Sequence, residues 1–209
     1  MDDYIKNLSR RLQAMAASGL TYSKDKFDIE RYNELLDISA ELLTHDASPS
    51  DITREEVRDL FDKNDGYPTP KCALRIAVFD DSDRILLVRD YDGKWTLPGG
   101  WCEYNVTLRD NAIKEAVEES GLSVEPVRLV AVLDHRKSNN PRSFFCAYNF
   151  LVLCEARGGS FVPNIETTEA RYFAIDDIPD EYNSHKCRIE HIRLCLKARH
   201  SEHWECVFD

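Results

Sequence analysis

The stretch Leu97-Pro98-Gly99-Gly100-Trp101-Cys102-Glu103, followed by Lys114-Glu115-Ala116-Val117-Glu118-Glu119-Ser120-Gly121-Leu122, decides the reading of this chain. It is a glycine loop feeding one short helix. Thr107 stands where a helix N-cap is wanted, Asp110 follows three residues later where a capping box takes an acidic side chain, and Gly121 falls where glycine ends a helix. The spacing predicts a helix over residues 108–120.

At about 100° per residue, Glu115, Glu118 and Glu119 share a narrow arc of that helix, beside an apolar stripe of Ala112, Ile113, Ala116 and Val117. Like charges at these spacings each cost a helix a few tenths of a kcal/mol, and carboxylates near the C-terminus also oppose the macrodipole. A hard divalent cation turns that cost into a site, because Mg²⁺ or Mn²⁺ takes carboxylate oxygens and bridges them to phosphates. A solvated acidic face is the ordinary reading of an isolated helix of this kind. The glycine loop in front of it favours the metal site.

Glycine loop, Glu103 and Lys114-Glu115-x-x-Glu118-Glu119-x-Gly121-Leu122 together resemble the signature of the Nudix hydrolases, G-x5-E-x7-R-E-U-x-E-E-x-G-U with U aliphatic. With its first Gly on Gly100, the pattern matches Glu115, Glu118, Glu119, Gly121 and Leu122. Val106 stands in place of the first Glu, Lys114 in place of Arg, and Ala116 is a small version of the aliphatic residue. Lys114 keeps a cation one turn before Glu118, without the fork that orients carboxylates rigidly. Glu103, three residues before Val106, is a candidate to supply the missing oxygen.

The 209 residues allow either one large domain or a small one plus a medium one. Hydrophobic residues at 43% and charged ones at 31% describe a globular chain. It has no apolar run long enough to cross a bilayer and no signal-peptide pattern after Met1-Asp2-Asp3, so the expectation is cytoplasmic, with no membrane partner. A net charge of −11 argues against duplex nucleic acid, whose binding needs Lys and Arg on phosphates. Seven cysteines without a Cys-x-x-Cys pair make no disulfide framework. Cys187, His191 and Cys195 share a helical face with zinc-ligand chemistry, but no fourth ligand follows at fixed spacing, and they are read as buried side chains.

Residues 1–66 carry helical periodicity only: Tyr4, Ile5, Leu8 and Leu12 form one stripe, and Tyr32, Leu35, Leu36, Ser39, Leu42 and Leu43 another. Gly19 is expected to break the first helix, Ser48-Pro49-Ser50 to separate the second from a third over 53–63, and Asp65-Gly66-Tyr67-Pro68-Thr69-Pro70 to link this all-helical domain, 1–66, to a second, 67–209. The stripes also offer a homodimer interface. Beyond them strands are expected at 73–79, 85–89, 94–97, 127–133, 144–153 and 171–175, with a turn at Arg157-Gly158-Gly159 and a helix over 185–198. Strands before and after a central helix fit an α+β fold, a mixed sheet covered on both faces.

Thr69-Pro70-Lys71, Asp92-Gly93-Lys94-Trp95 leading into the glycine loop, and the run Pro163 to Phe173 with Glu166 and Glu169 are similar to a Nudix subgroup with a helical N-terminal extension that hydrolyses X-linked nucleoside diphosphates. The resemblance implies the α/β/α Nudix sandwich, and water attack on a nucleoside diphosphate conjugate with Mg²⁺, or Mn²⁺, on Glu115, Glu118 and Glu119. CDP-choline stands first among substrates, ADP-ribose second. It further implies a base from the helix or from the loop before the last strand. Glu166 is preferred there, ahead of Glu169, with Glu103 the third candidate. Arg75, Arg89 and Lys71 are candidate phosphate contacts, Gly99 and Gly100 line the substrate, and Trp101, Tyr104, Tyr22 and Phe27 are candidates to stack on it. The polar run Asp134 to Pro141 reads as a loop suited to touching ligand. The competing class is a catalytically weak nucleotide sensor on the same fold, motivated by Val106, and an RNA-processing role is disfavoured by the acidic charge.

Overall fold

The structure, a computed structural model, describes residues 3–45, 52–62, 66–135 and 146–209. The expected separator at Ser48-Pro49-Ser50, Lys63, Asp65, Arg136 to Pro141 and Phe144 lie outside the described residues. The chain forms two compact units, Met1–Thr69 and Pro70–Asp209.

In the first unit α1 (Asp3–Tyr22) and α2 (Lys26–Thr44) form a hairpin joined by α3 (Arg54–Asp62). Asp25 caps α2, its carboxylate accepting from the Phe27 and Asp28 amides at 2.9 and 3.2 Å. Leu36, Ala40, Leu43, Val57 and Phe61 are buried, and the hydroxyls of Ser9 and Ser39 meet at 2.8 Å inside the hairpin. Gly19 does not break α1 as the sequence suggested. It sits under the Tyr32 ring, whose Cζ would lie 2.3 Å from any added Cβ, so glycine is there for close helix contact.

The second unit alternates strand and helix: β1 (Lys71–Val78), β2 (Ile85–Asp90), β3 (Trp95–Thr96), α4 (Leu108–Ser120), β4 (Leu122–Asp134), β5 (Ala147–Gly159), β6 (Thr167–Phe173), a 3₁₀ turn (Ile175–Asp177), α5 (Ile189–Arg199) and β7 (Val207–Phe208). One sheet has the order β1-β5-β4-β7, with β1 parallel to β5 and β4 antiparallel to it; the other has the order β3-β2-β6. The fold is therefore α+β with mixed strands. Along β1, Leu74, Ile76 and Val78 pack with Ala112 and Ala116 of α4, while Ala77 faces the core that holds Ile192, Cys195 and Ala198 of α5. Both faces are covered, which is why these strands read as nearly continuous apolar runs.

Two sequence expectations are corrected here. Arg157-Gly158-Gly159 is no turn but the end of β5, held because Leu122 and Ser123 of β4 pair with Gly159 and Gly158. The last helix starts at Ile189 rather than 185. Residues 181–183 are extended against β3 instead, where the Trp95 amide donates to Glu181 O at 3.1 Å and the Asn183 amide to Trp95 O at 2.8 Å. The closing segment contributes β7, paired in parallel with Ala131 and Val132.

Candidate active site

The glycine loop is laid along the edge of β1. The amides of Leu74 and Ile76 donate to Gly100 O and Pro98 O, both at 2.9 Å, and the Cys102 amide donates to Cys72 O at 2.9 Å. Gly99 has φ +131°, and a Cβ there would sit 2.3 Å from Leu74 O, so only glycine lets the loop approach so closely. Gly99→Ala is expected to destabilise the protein by at least about 2 kcal/mol, from strained φ plus a clash with backbone, and to lower activity in parallel. Urea unfolding within about 0.5 kcal/mol of wild type would contradict that account.

The same loop meets the acidic helix. Thr107 caps α4 as its spacing required, accepting from the Asp110 amide at 3.1 Å, and Gly121 ends the helix at φ 69°. These caps fix the rotation of the helix, which brings Glu119 to the loop, its carboxylate accepting from the Gly99 amide at 2.8 Å. Glu115 lies under Gly100, with its carboxylate 3.1 Å from where a Cβ would stand. Glu118 is exposed and takes the Lys114 ammonium at 2.5 Å, and Lys114 also pairs with Glu103 at 2.9 Å. Glu103 is in turn held by its amide, which donates to Oδ1 of fully buried Asn111 at 2.9 Å.

The loop before β6 is pinned to the C-terminal end of α4. Asn164 Nδ2 donates to Glu118 O at 2.8 Å, Thr167 Oγ1 donates to Glu119 O at 2.7 Å, and the Asn164 carbonyl oxygen Oδ1 accepts from the Glu166 amide at 2.9 Å. Glu166, exposed, is thereby held beside a helix 47 positions earlier in sequence, and its charge acts on both Glu115 and Glu119. Glu169 is placed differently. It is ion-paired to Arg89 at 2.8 Å and to Arg171, and these cations, Arg89 foremost, hold its carboxyl below the ordinary range. Arg89 is engaged there and with Gly93 O at 3.2 Å, on the β2-β6 surface.

Burial, reinforced by the charges of Glu115 and Glu166, pushes the Glu119 carboxyl from the ordinary 4.5 up to about 7, against the pull of the Gly99 amide and Arg75. Glu115 is also raised, by burial first and then by Glu118 and Glu166, with Lys114 and Arg75 opposing. Among the described residues no three His, Cys, Asp or Glu side chains converge into a ready-made metal cage. The donor set nevertheless fits a hard divalent cation. It is all oxygen, gathered on one helix face, and its mutual repulsion is what such a cation relieves.

That repulsion has a sign that stability measurements read. Between pH 4.5 and about 7 the folded, metal-free protein binds the Glu119 proton more tightly than the unfolded chain does, so stability falls as pH rises through that window. Glu119→Gln keeps an acceptor for the Gly99 amide and removes the charge. In chelator it is expected to be more stable than wild type by about 1–3 kcal/mol at pH 8 and indistinguishable at pH 4. Equal stability at both pH values would contradict the repulsion.

Arg75 of β1 reaches back to donate to Gly99 O, and its Nε is buried with no hydrogen-bond partner among the described residues. It lines a cavity of about 630 Å³ together with Gly99, Gly100, Trp101, Glu119, His135, Asn149, Asn183, His185 and Lys186. Trp101 is 58% exposed, with Lys71 over its ring at 5.9 Å. Tyr104 is exposed, and Tyr22 and Phe27 belong to the first unit, beside Tyr67 and Lys26. Of His135, Asn149, Asn183, His185 and Lys186, the sequence had pointed only to the neighbourhood of His135. Asn149, an amide inside the apolar run 147–154, was a signal that went unused. A larger cavity of about 820 Å³ is bordered by Arg128, Arg157, Arg199 and His200, but each of these already pairs with carbonyls or carboxylates. Cys187 and Cys195 are fully buried in the core, with Cys187 Sγ 3.7 Å from His191 Nδ1.

Comparison with known proteins bears on the same residues. Positions 69–192, more than half of the chain, match the NUDIX domain. The chain belongs to the Nudix family. Residues 4–61 match the UDP-X-like N-terminal oligomerisation domain that accompanies some Nudix domains. A Bacillus subtilis protein provisionally named an ADP-ribose pyrophosphatase is 43% identical over 172 residues, 82% of this chain and 81% of that one. A solved ADP-ribose pyrophosphatase of Streptococcus suis is 47% identical with a TM-score of 0.62, covering 68% of this chain and all of that one. A solved UDP-X diphosphatase covers 99% of this chain and all of its own, at 29% identity and a TM-score of 0.61. This Nudix chain is by its class a pyrophosphohydrolase. No helix among its described residues is long and apolar enough to cross a membrane.

Proposed function

We propose that this Nudix enzyme hydrolyses the diphosphate of a nucleoside diphosphate linked to a second moiety, giving a nucleoside monophosphate and a phosphorylated product. The observation that carries the reading is a cavity that joins Glu119 with Arg75, the Gly99-Gly100 loop and Trp101, with Glu115 under Gly100 and the charge of Glu166 acting on both carboxyls. ADP-ribose is the substrate to try first, supported by the names of the relatives above. CDP-choline is kept second, because an exposed indole beside a carboxylate cluster suits a quaternary ammonium.

Glu115, Glu118 and Glu119 are the residues that would hold Mg²⁺, or Mn²⁺, which when bound neutralises the diphosphate and acidifies the attacking water. Glu166, held by Asn164 at the mouth of the site, takes the proton from that water. Arg75, whose guanidinium lines the cavity, binds a phosphoryl oxygen, and the Gly99-Gly100 backbone leaves room for the diphosphate to approach. Lys114 holds Glu118 and Glu103 and so orients the carboxylate face, while the ion pairs of Glu169 and Arg89 assign both to positioning β6.

The test is phosphate release, after phosphatase treatment, from ADP-ribose, CDP-choline, dinucleoside polyphosphates and NADH with Mg²⁺ and Mn²⁺. No turnover of any would remove the diphosphatase reading and leave the nucleotide sensor, which Val106 in place of the motif Glu favours. The proposal includes a homodimer built through the first unit, supported by the match to an oligomerisation domain and by the exposed Tyr4, Met15 and Tyr22 stripe of α1. A sedimentation-equilibrium mass of one chain would remove it. A cytoplasmic setting is also proposed, supported by seven cysteines that all remain thiols; trapping the chain in an oxidising compartment fraction would count against it.

A further inference from the structure

His135 follows directly on β4, and Asn149 lies on β5 opposite Leu133, so the sheet sets the two side by side in the lining of the cavity that also holds Glu119. Asn149 is 4% exposed, and its side-chain Nδ2 lies 3.2 Å from His135 Nδ1. An amide N–H can only donate, so Nδ1 accepts, and the proton of a neutral imidazole is then on Nε2. Nε2–H is the one polar group the ring has left to offer the cavity.

The charges around the ring favour that neutral form. Burial and then the Arg75 guanidinium hold His135 below the usual histidine range, with Asp134 opposing. Arg75 also acts on Glu115 and Glu119; it lines the same cavity as Glu119, His135 and Asn149, and on the sheet Ala73, two residues before it, is the register partner of Asn149. A diphosphate reaching from the carboxylate end past Arg75 brings its second phosphoryl group to His135. An imidazolium there would repel Arg75; a neutral N–H donor does not, and it gives a phosphoryl oxygen a charge-assisted hydrogen bond.

We propose that Asn149 holds His135 as the Nε2–H tautomer and that this donor binds the second phosphoryl group of the substrate's diphosphate, making His135 a substrate-binding residue and Asn149 its positioning residue. The proposal rests on the diphosphatase reading, and the experiment separates the two. ADP carries the diphosphate without a second moiety, and its equilibrium binding with Mg²⁺ is measured by calorimetry in His135→Ala, His135→Gln, Asn149→Leu and the Asn149→Leu/His135→Ala double variant, beside ADP-ribose turnover. His135→Ala is expected to weaken ADP about tenfold, as loss of one hydrogen bond to a charged group does, and His135→Gln, which keeps a neutral donor, to stay within about threefold. Asn149→Leu is expected to weaken ADP by about three- to tenfold in the presence of His135 and to add nothing in its absence, because a positioning residue acts only through its partner. Ring ¹⁵N shifts of wild type should report protonated Nε2 and bare Nδ1. ADP affinity within twofold of wild type in His135→Ala overturns the proposal, as does a His135→Gln as weak as His135→Ala, or a wild-type ring protonated at Nδ1. Absence of turnover with retained ADP binding sinks the diphosphatase reading alone, and a wild type that binds no ADP overturns both.

Discussion

Glu166→Gln is expected to lower single-turnover hydrolysis of the best substrate about 10²–10⁴-fold, the range of a general base, while leaving the metal concentration for half-maximal activity nearly unchanged. The amide keeps the size and hydrogen-bonding backbone of the loop, which is held through Asn164 and Thr167 rather than through the Glu166 side chain, so the loss reads the missing proton acceptor. Glu103→Gln is expected to cost far less, because Glu103 is occupied by Lys114 and its amide by Asn111. Val106→Glu is the matched control. If Glu166 performs the proton transfer, restoring the motif carboxylate brings no large gain. A barely active wild type revived by Val106→Glu, with nucleotide affinity unchanged, would make the protein a sensor that had lost its chemistry.

Glu118→Gln and Glu119→Gln should each reduce kcat by at least about tenfold and shift the metal titration to higher concentration, since neutral amides are poor ligands for hard cations. The two should differ without metal. Glu119 is raised to about 7 by burial and like charge, so its amide variant gains stability, whereas Glu118→Gln loses the exposed Lys114 pair, worth little at the surface. Near-wild-type turnover in both variants would remove the helix as the metal-binding element. A loss of turnover in Glu119→Gln together with a loss of metal-free stability would mean that the change had damaged the fold rather than the site.

Local signals in the sequence determined the acidic helix. Thr107 and Gly121 mark its ends, because caps are short-range, and the carboxylate arc follows from 3.6-residue geometry; of the expected apolar stripe Ala112 and Ala116 are buried, whereas Val117 is 47% exposed because the buried face runs through Asn111 and Ser120 instead. The strands at β1 and β2, the α+β class and the helical first unit were legible for the same reason. The glycine loop was legible as a loop, but its job depended on β1: Gly99 is needed because of Leu74 O, 25 positions earlier.

What tertiary structure alone decided was which charges share a space. Glu166 and Glu169 are three residues apart and equivalent by composition, yet pinning of Asn164 and Thr167 onto α4 puts one beside the carboxylate cluster, while pairing of β6 with β2 locks the other onto Arg89. Gly19, a helix breaker by propensity, is a packing residue because Tyr32 of the next helix lies against it. Arg157-Gly158-Gly159, a turn by composition, is strand because β4 supplies partners for it. The Asn149-His135 pair came from strand register, and Asn183 joined the cavity lining through the segment hydrogen-bonded to β3. Side-chain type and spacing set what each residue can do, but hydrogen-bond partners and like-charge neighbours arrive from distant sequence, and only the folded chain fixes which of those capacities meet.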